Sequence, residues 1–162
     1  METNILRNYE TVRAQEKSLL LPSFSKAAAW ELGNRLKAAC EKNSVAITIE
    51  IRIGKETVFL YSMAETGSEN ADWARRKRNL VELVERSSYR VGLADQLADT
   101  LLMNEMGLSS RDYCTSGGSF PIKVKGVGFV GVVTVSGLTE LEDHVLVVQT
   151  LADMYDIDIS AY

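Results

Sequence analysis

A chain of 162 residues, 46% hydrophobic and 25% charged, has the size and composition of one globular domain with a substantial core. Its net charge of −4 and pI near 5.1 argue against general nucleic-acid binding, which needs many phosphate-neutralising Lys and Arg. No eighteen apolar residues run together and Met1–Glu10 is polar and mixed, so neither a membrane span nor a signal peptide is expected.

Asn4–Glu16 reads as a short polar helix, and Pro22-Ser23 closes this lead-in (1–23) to a single domain over 1–162. Phe24–Asn43 follows as a longer helix with Ser23 or Ser25 as N-cap and Ala28, Ala29, Leu32, Leu36, Ala39 and Cys40 on its inner stripe. In Val45–Ile53 the residues Val45, Ile47, Ile49, Ile51 and Ile53 alternate with polar ones, the period of a strand. Gly54-Lys55 predicts a type II′ hairpin into Thr57–Met63. After a loop, Ala71–Arg86 and Tyr89–Met106 read as helices, the second closed by Gly107. Gly117-Gly118 opens a strand over Phe120–Val124, and Lys125-Gly126 turns it into Phe129–Ser136. A last helix runs from Glu140 to Met154, with Thr139 and Glu142 as a capping box. Strands in two hairpins separated by helices imply an α/β fold with a mainly antiparallel sheet and helices on both faces.

Gly126–Gly131 satisfies G-x-G-x-x-G, but it leads into a strand rather than a helix. The glycines therefore serve a turn and close strand packing, not a pyrophosphate. Cys40 and Cys114 show no disulfide or metal spacing, which points to a reducing cytoplasm and no metal site. The basic run Arg75-Arg76-Lys77-Arg78 is split by the helical wheel. Arg76 and Lys77 flank the stripe of Trp73, Leu80 and Val84 and need a carboxylate, a carbonyl or an anion; Arg75 and Arg78 face solvent. On the last helix the stripe is Leu141, Val145, Val148 and Ala152, with His144, the only histidine, on its shoulder. Leu146 and Val147 fall on the far side, where the polar N-terminal helix is too weak a cover and a second subunit is expected. The turn Ser136–Thr139 meets a helix N-terminus whose first turn carries Glu140, Glu142 and Asp143, acids that compete with any external anion.

The stretches Gly117-Gly-Ser-Phe-Pro-Ile122, Thr134-Val-Ser-Gly137, Glu142-Asp-His144 and Trp73-Ala-Arg-Arg-Lys77 resemble the GlcG/HbpS-like group, the haem-degrading domain family, in its branch of small standalone proteins. The similarity spans roughly Phe24 to Met154. It implies a profilin-like layered fold, a cytosolic homo-oligomer and, in some members, haem or a related tetrapyrrole as ligand. Where the branch usually carries Gly-Lys before the Ser-Ser, this chain has Glu85-Arg86 before Ser87-Ser88, which weakens an anion site at that turn. The expected function is small-ligand binding without established catalysis. Gly117, Gly118, Ser136, Gly137 and His144 converge on the site, and Arg76 and Lys77 face a tetrapyrrole or small anionic ligand. The rivals are an oligomeric interaction protein without a ligand and a small enzyme with His144, the only catalytic candidate, as general base.

Overall fold

A computed structural model describes residues 1–161. In chain order they form α1 (Glu2–Ser18), β1 (Leu20–Leu21), α2 (Lys26–Lys42), β2 (Thr48–Ile53), β3 (Glu56–Ser62), α3 (Ser68–Val84), α4 (Ser88–Ala98), α5 (Leu102–Glu105), β4 (Ser119–Val124), β5 (Gly128–Ser136) and α6 (Glu140–Tyr155). One five-stranded sheet runs β1-β4-β5-β2-β3. Its two hairpins, β2-β3 and β4-β5, meet through an antiparallel β2-β5 pairing, and only the short β1 joins in parallel, to β4. The expected α/β architecture is present, and β1, two residues long, gave no periodic signal to read.

Alternation along the strands assigns each face its cover. Ile47, Ile49, Ile51, Phe120, Ile122, Val133 and Val135 join Leu32, Leu36, Val147 and Leu151 of α2 and α6 in the main core. The opposite face is polar and lies under α3. Glu50 takes Arg78 Nε at 2.8 Å, Arg52 meets Glu82 at 3.1 Å, and Ser119 and Thr134 hydroxyls bond at 2.8 Å. A strand with one apolar and one polar face therefore remains buried on both because α3 brings charges matched to the sheet.

Local chemistry fixes the element ends. Ser25 caps α2, accepting from Ala28 N–H at 3.1 Å, and Thr139 and Glu142 cap α6 reciprocally. Four expectations are corrected. Gly54 and Lys55 both have positive φ, 55° and 66°, so the hairpin turn is type I′, whose twist matches the strands. The expected helix Tyr89–Met106 is broken at Asp99, which adopts φ 52°, and restarts as α5 where Asp95 Oδ1 accepts from Leu102 N–H at 3.0 Å. α1 is not a poor cover: Val12, Ile5 and Tyr9 pack on Tyr89 and Leu93 of α4, and Glu16 is buried as well. On α6 the buried face holds Asp143, His144, Val147, Val148, Leu151 and Ala152. Leu141 and Val145 are each 48% exposed, while Val147 is fully buried and Leu146 packs against the core. The stripe is rotated because two polar residues, Asp143 and His144, turn inward to specific partners; Val147 is thereby a core residue and Leu146 is partly buried against the core.

Candidate functional site

The centre of α3's buried face is a lysine. Lys77 is 2% exposed, and its ammonium donates to Gly117 O at 2.9 Å, to Val135 O at 2.7 Å and to Asp143 Oδ2 at 3.1 Å. Three donors meet three acceptors, so the ammonium is saturated. Asp143 is equally buried, and its other oxygen accepts from Leu138 N–H at 3.1 Å. Burial lowers the Lys77 pKa and raises that of Asp143, while their mutual attraction opposes both shifts. One residue on α3 thus ties together the end of β5, the Gly117 loop and the first turn of α6.

That convergence needs close backbone approach. A side chain at Gly117 would collide with the carbonyl of Glu140, and one at Gly118 would sit 2.6 Å from the Lys77 nitrogen; Gly118 also has φ 123°, a region that strongly favours glycine. The Gly117 loop is further anchored to α3 from its N-terminal side, where Arg75 reaches Asp112 at 2.8 Å and the Arg111 carbonyl at 2.7 Å.

Above the saturated lysine lies a cavity of about 350 Å³, lined by Glu69, Asn70, Trp73, Lys77, Ser116, Gly117, Ser136, Gly137, Leu138, Glu140 and Asp143. Its hydroxyls, amide and indole offer hydrogen bonds, and Trp73 offers a flat wall. Three carboxylates face one ammonium already paired with one of them, so the lining carries excess negative charge. Four expected residues, Lys77, Gly117, Ser136 and Gly137, line this cavity, and Gly118 lies beneath it against Lys77.

The other two do not line it. Arg76 stacks on Trp73, its guanidinium carbon 4.0 Å from the ring centroid, and pairs with Asp72 at 3.1 Å. His144 is 2% exposed: its Nε2 donates to Gln15 Oε1 at 2.9 Å, and its ring packs 5.0 Å from Tyr89 and 6.0 Å from Phe120. Among the described residues its Nδ1 has no partner, and burial lowers its pKa to about 4. It lies in the deep core rather than on a shoulder, sealed by α1. The basic run is also re-sorted, because Lys77 rather than Trp73 marks the centre of the helix's buried face. That brings Arg78 inward onto Glu50, while Arg75 stays more exposed.

At the Glu85-Arg86 turn the α4 N-terminus is already taken by an internal anion. Glu16 accepts from Ser87 N–H at 2.8 Å and from Arg90 at 2.6 Å, which satisfies the helix dipole from within.

The cavity lining holds no imidazole, thiol, thioether or phenol, the usual axial ligands of haem iron; its residues do not fit haem ligation. The residues that the sequence left out, Glu69, Asn70, Trp73, Ser116, Leu138, Glu140 and Asp143, include the key one. Lys77 in the basic run needs a carboxylate beside it, and Asp143 sits among the acids of the first turn of α6. Only the fold joins them across 66 positions.

Residues 24–152 match the family described as haem degrading protein HbpS-like. A UPF0303 protein of Azotobacter vinelandii is 46% identical over 153 residues, covering 94% of this chain and 92% of its own. Among solved structures, the Ybr137w protein superposes with a TM-score of 0.83 at 23% identity, over 91% of this chain and 87% of that one. A PduOC–heme complex superposes at 0.70 with 15% identity, over 85% and 98%. These structures share the fold; the match over most of the sequence carries more, and by it the chain belongs to the HbpS-like family.

Proposed function

We propose that this protein binds a small organic ligand in the cavity above Lys77 and carries out no chemistry there. The observation that carries this reading is the saturated lysine. It spends all its donors on Gly117, Val135 and Asp143, and so it shapes a floor and leaves Asn70, Trp73, Ser116 and Ser136 to contact the ligand. Recruitment as a base is disfavoured for the same reason, and His144 is disfavoured by its absence from the lining and its burial. The excess of carboxylates makes an uncharged or hydrogen-bonding ligand a better partner than a free anion.

Family membership and the likeness to a heme complex support haem as the first molecule to test. About 350 Å³ is near the lower end for small-molecule sites, so a tetrapyrrole would lie across the mouth, against Trp73, without iron ligation from the lining. Titration with haem and with neutral and carboxylate metabolites, followed by Trp73 fluorescence in a Trp30→Phe background, tests the reading. The expected result is a saturable change that Ser116→Leu, which puts a bulky apolar side chain into the cavity wall, weakens or removes. Binding indifferent to Ser116→Leu would overturn it.

Self-association is a second part of the reading, moved away from α6. Trp30, Leu60 and Tyr61 line one surface hollow beside β3, an edge strand of the sheet. Leu60 and Trp30 are 63% and 66% exposed, a combination suited to pairing with a second copy. Light scattering should give a mass above 17.9 kDa that Leu60→Glu lowers; a wild-type monomer would remove this part.

A further inference from the structure

Ser136, the last residue of β5, is 4% exposed, yet among the described residues its hydroxyl makes no hydrogen bond. Other buried hydroxyls of the sheet are paired, Ser119 with Thr134 at 2.8 Å and Thr48 with Ser62 at 3.1 Å. Asp95 Oδ2 and His144 Nδ1 are unpartnered and enclosed; the Ser136 hydroxyl is unpartnered but open, on the wall of the cavity above Lys77. An unpaired hydroxyl in so buried a place takes its partner from outside the protein. The rest of the wall repeats the pattern. Asn70 spends its oxygen on Gly67 N–H at 3.0 Å and keeps its NH₂ group to give. Among the described residues the Ser116 hydroxyl and the Trp73 indole N–H bond to nothing, and Glu69 and Glu140 form no ion pair. These groups surround the cavity: Glu69, Asn70 and Trp73 come from the first turns of α3, Ser116 from the loop before β4, and Glu140 from the start of α6.

We infer that this cavity binds a neutral polyhydroxylated molecule, a single sugar ring or cyclic polyol, with one of its hydroxyls bonded to Ser136 Oγ. The inference rests on the cavity above Lys77 being a ligand site and names the class of ligand. A hydroxyl both donates and accepts, so one such molecule serves the carboxylates, which only accept, and the amide and indole N–H groups, which only donate. Hydroxyls radiate from a ring as the lining groups surround the cavity, whereas a planar base carries its polar groups at the edge alone. The C–H face of a sugar packs on Trp73, which Arg76, stacked 4.0 Å from the ring centroid, holds in place. Phosphate and carboxylate ligands find no free cation, because Lys77 already gives its N–H groups to Gly117, Val135 and Asp143. A simple amine would suit the carboxylates and leave the N–H groups of Asn70 and Trp73 unanswered. About 350 Å³, near the lower end for small-molecule sites, suits one ring rather than a chain of them, and sugar hydroxyls reproduce the bonds of the water they displace.

The decisive variant is Ser136→Ala, which removes a hydroxyl that bonds nothing in the protein. Isothermal titration and saturation-transfer NMR of the full chain with glucose, galactose, mannose, ribose and myo-inositol should show saturable binding of at least one of them. Ser136→Ala should weaken that binding about fivefold to tenfold, the worth of one hydrogen bond, and leave the melting temperature unchanged or higher. Should Ser136→Ala fail to fold, Glu69→Gln, at the exposed rim, carries the comparison by weakening the same binding. The inference is overturned if no member of the panel binds, if Ser136→Ala binds as tightly as wild type, or if gluconate or putrescine binds more tightly than every neutral polyol. Its failure is distinguishable from that of the cavity reading. If the panel fails while wild type still carries a compound that Ser116→Leu does not, the cavity holds a ligand of another class; if both fail, the cavity reading falls with it.

Discussion

Acid should destabilise this protein through His144, and the size of the effect follows from its surroundings. The imidazole is 2% exposed, its Nε2 is taken up by Gln15, and among the described residues its Nδ1 faces no acceptor for the N–H it would carry when charged. Burial therefore holds the folded-state pKa at about 4, against an ordinary 6.5. The sign follows directly. The unfolded chain binds the proton first, so the stability due to a neutral His144 is fully present above pH 6.5 and is lost as pH falls from 6.5 towards 4. At about 1.4 kcal/mol per pH unit between those two values, the loss reaches about 3 kcal/mol near pH 4. Urea unfolding at a series of pH values between 7.5 and 4 would measure it for wild type and for His144→Gln, which keeps a hydrogen-bonding group but does not titrate. Other carboxylates, including Asp143, whose pKa burial raises, are common to both proteins. The gap between the two curves should narrow by about 3 kcal/mol as pH falls. A gap that stays constant would refute this account of a buried, singly bonded imidazole.

The buried pair at the site invites a double-mutant cycle. Lys77→Met alone should cost about 3–5 kcal/mol by stranding Asp143, and Lys77→Met with Asp143→Asn should cost less than the sum of the single changes; additive losses in thermal or urea unfolding would contradict the pairing. Arg78→Ala should lower stability by about 1.5–3 kcal/mol, since Glu50 beneath it is left buried without its charged donor. Arg75→Ala, whose partners are about half exposed, should cost about 1 kcal/mol or less; equal melting temperatures for the two variants would contradict this ordering. Glu85 ends α3 at φ 56°, so Glu85→Gly should raise stability by about 1 kcal/mol, and a lowered urea midpoint would argue against backbone strain there.

The fold was legible from the chain wherever apolar residues kept a clean period. The isoleucine alternation of β2, the Thr139–Glu142 cap and the two hairpins all followed from residues a few positions apart. What misled was common to two helices. A hydrophobicity wheel gives polar side chains no inward weight: it set Lys77 and His144 only on the shoulders of their stripes and left Asp143 as a first-turn acid, yet all three are core residues. The wheel consequently put Trp73 at the centre of α3's buried face and Leu141 with Val145 at that of α6, and it sent Val147 outward. A buried ion pair is invisible to local pattern because each half looks like surface until the other is found, here 66 residues away. The glycines of the site, by contrast, were marked by the Gly117-Gly118 and Ser136-Gly137 stretches that carry the family resemblance. Gly117, Gly118 and Gly137 lie where chain segments approach too closely for a side chain, and two of them border the cavity.

The central claim is that the cavity above Lys77 holds a small molecule, and it can be tested without knowing which one. Wild type and Ser116→Leu would be purified gently from the same cells, matched for folded content, denatured, and the released small molecules compared by mass spectrometry. The account predicts a compound released in stoichiometric amount from wild type and depleted from the variant. A compound released equally from both proteins, or from neither, would contradict it.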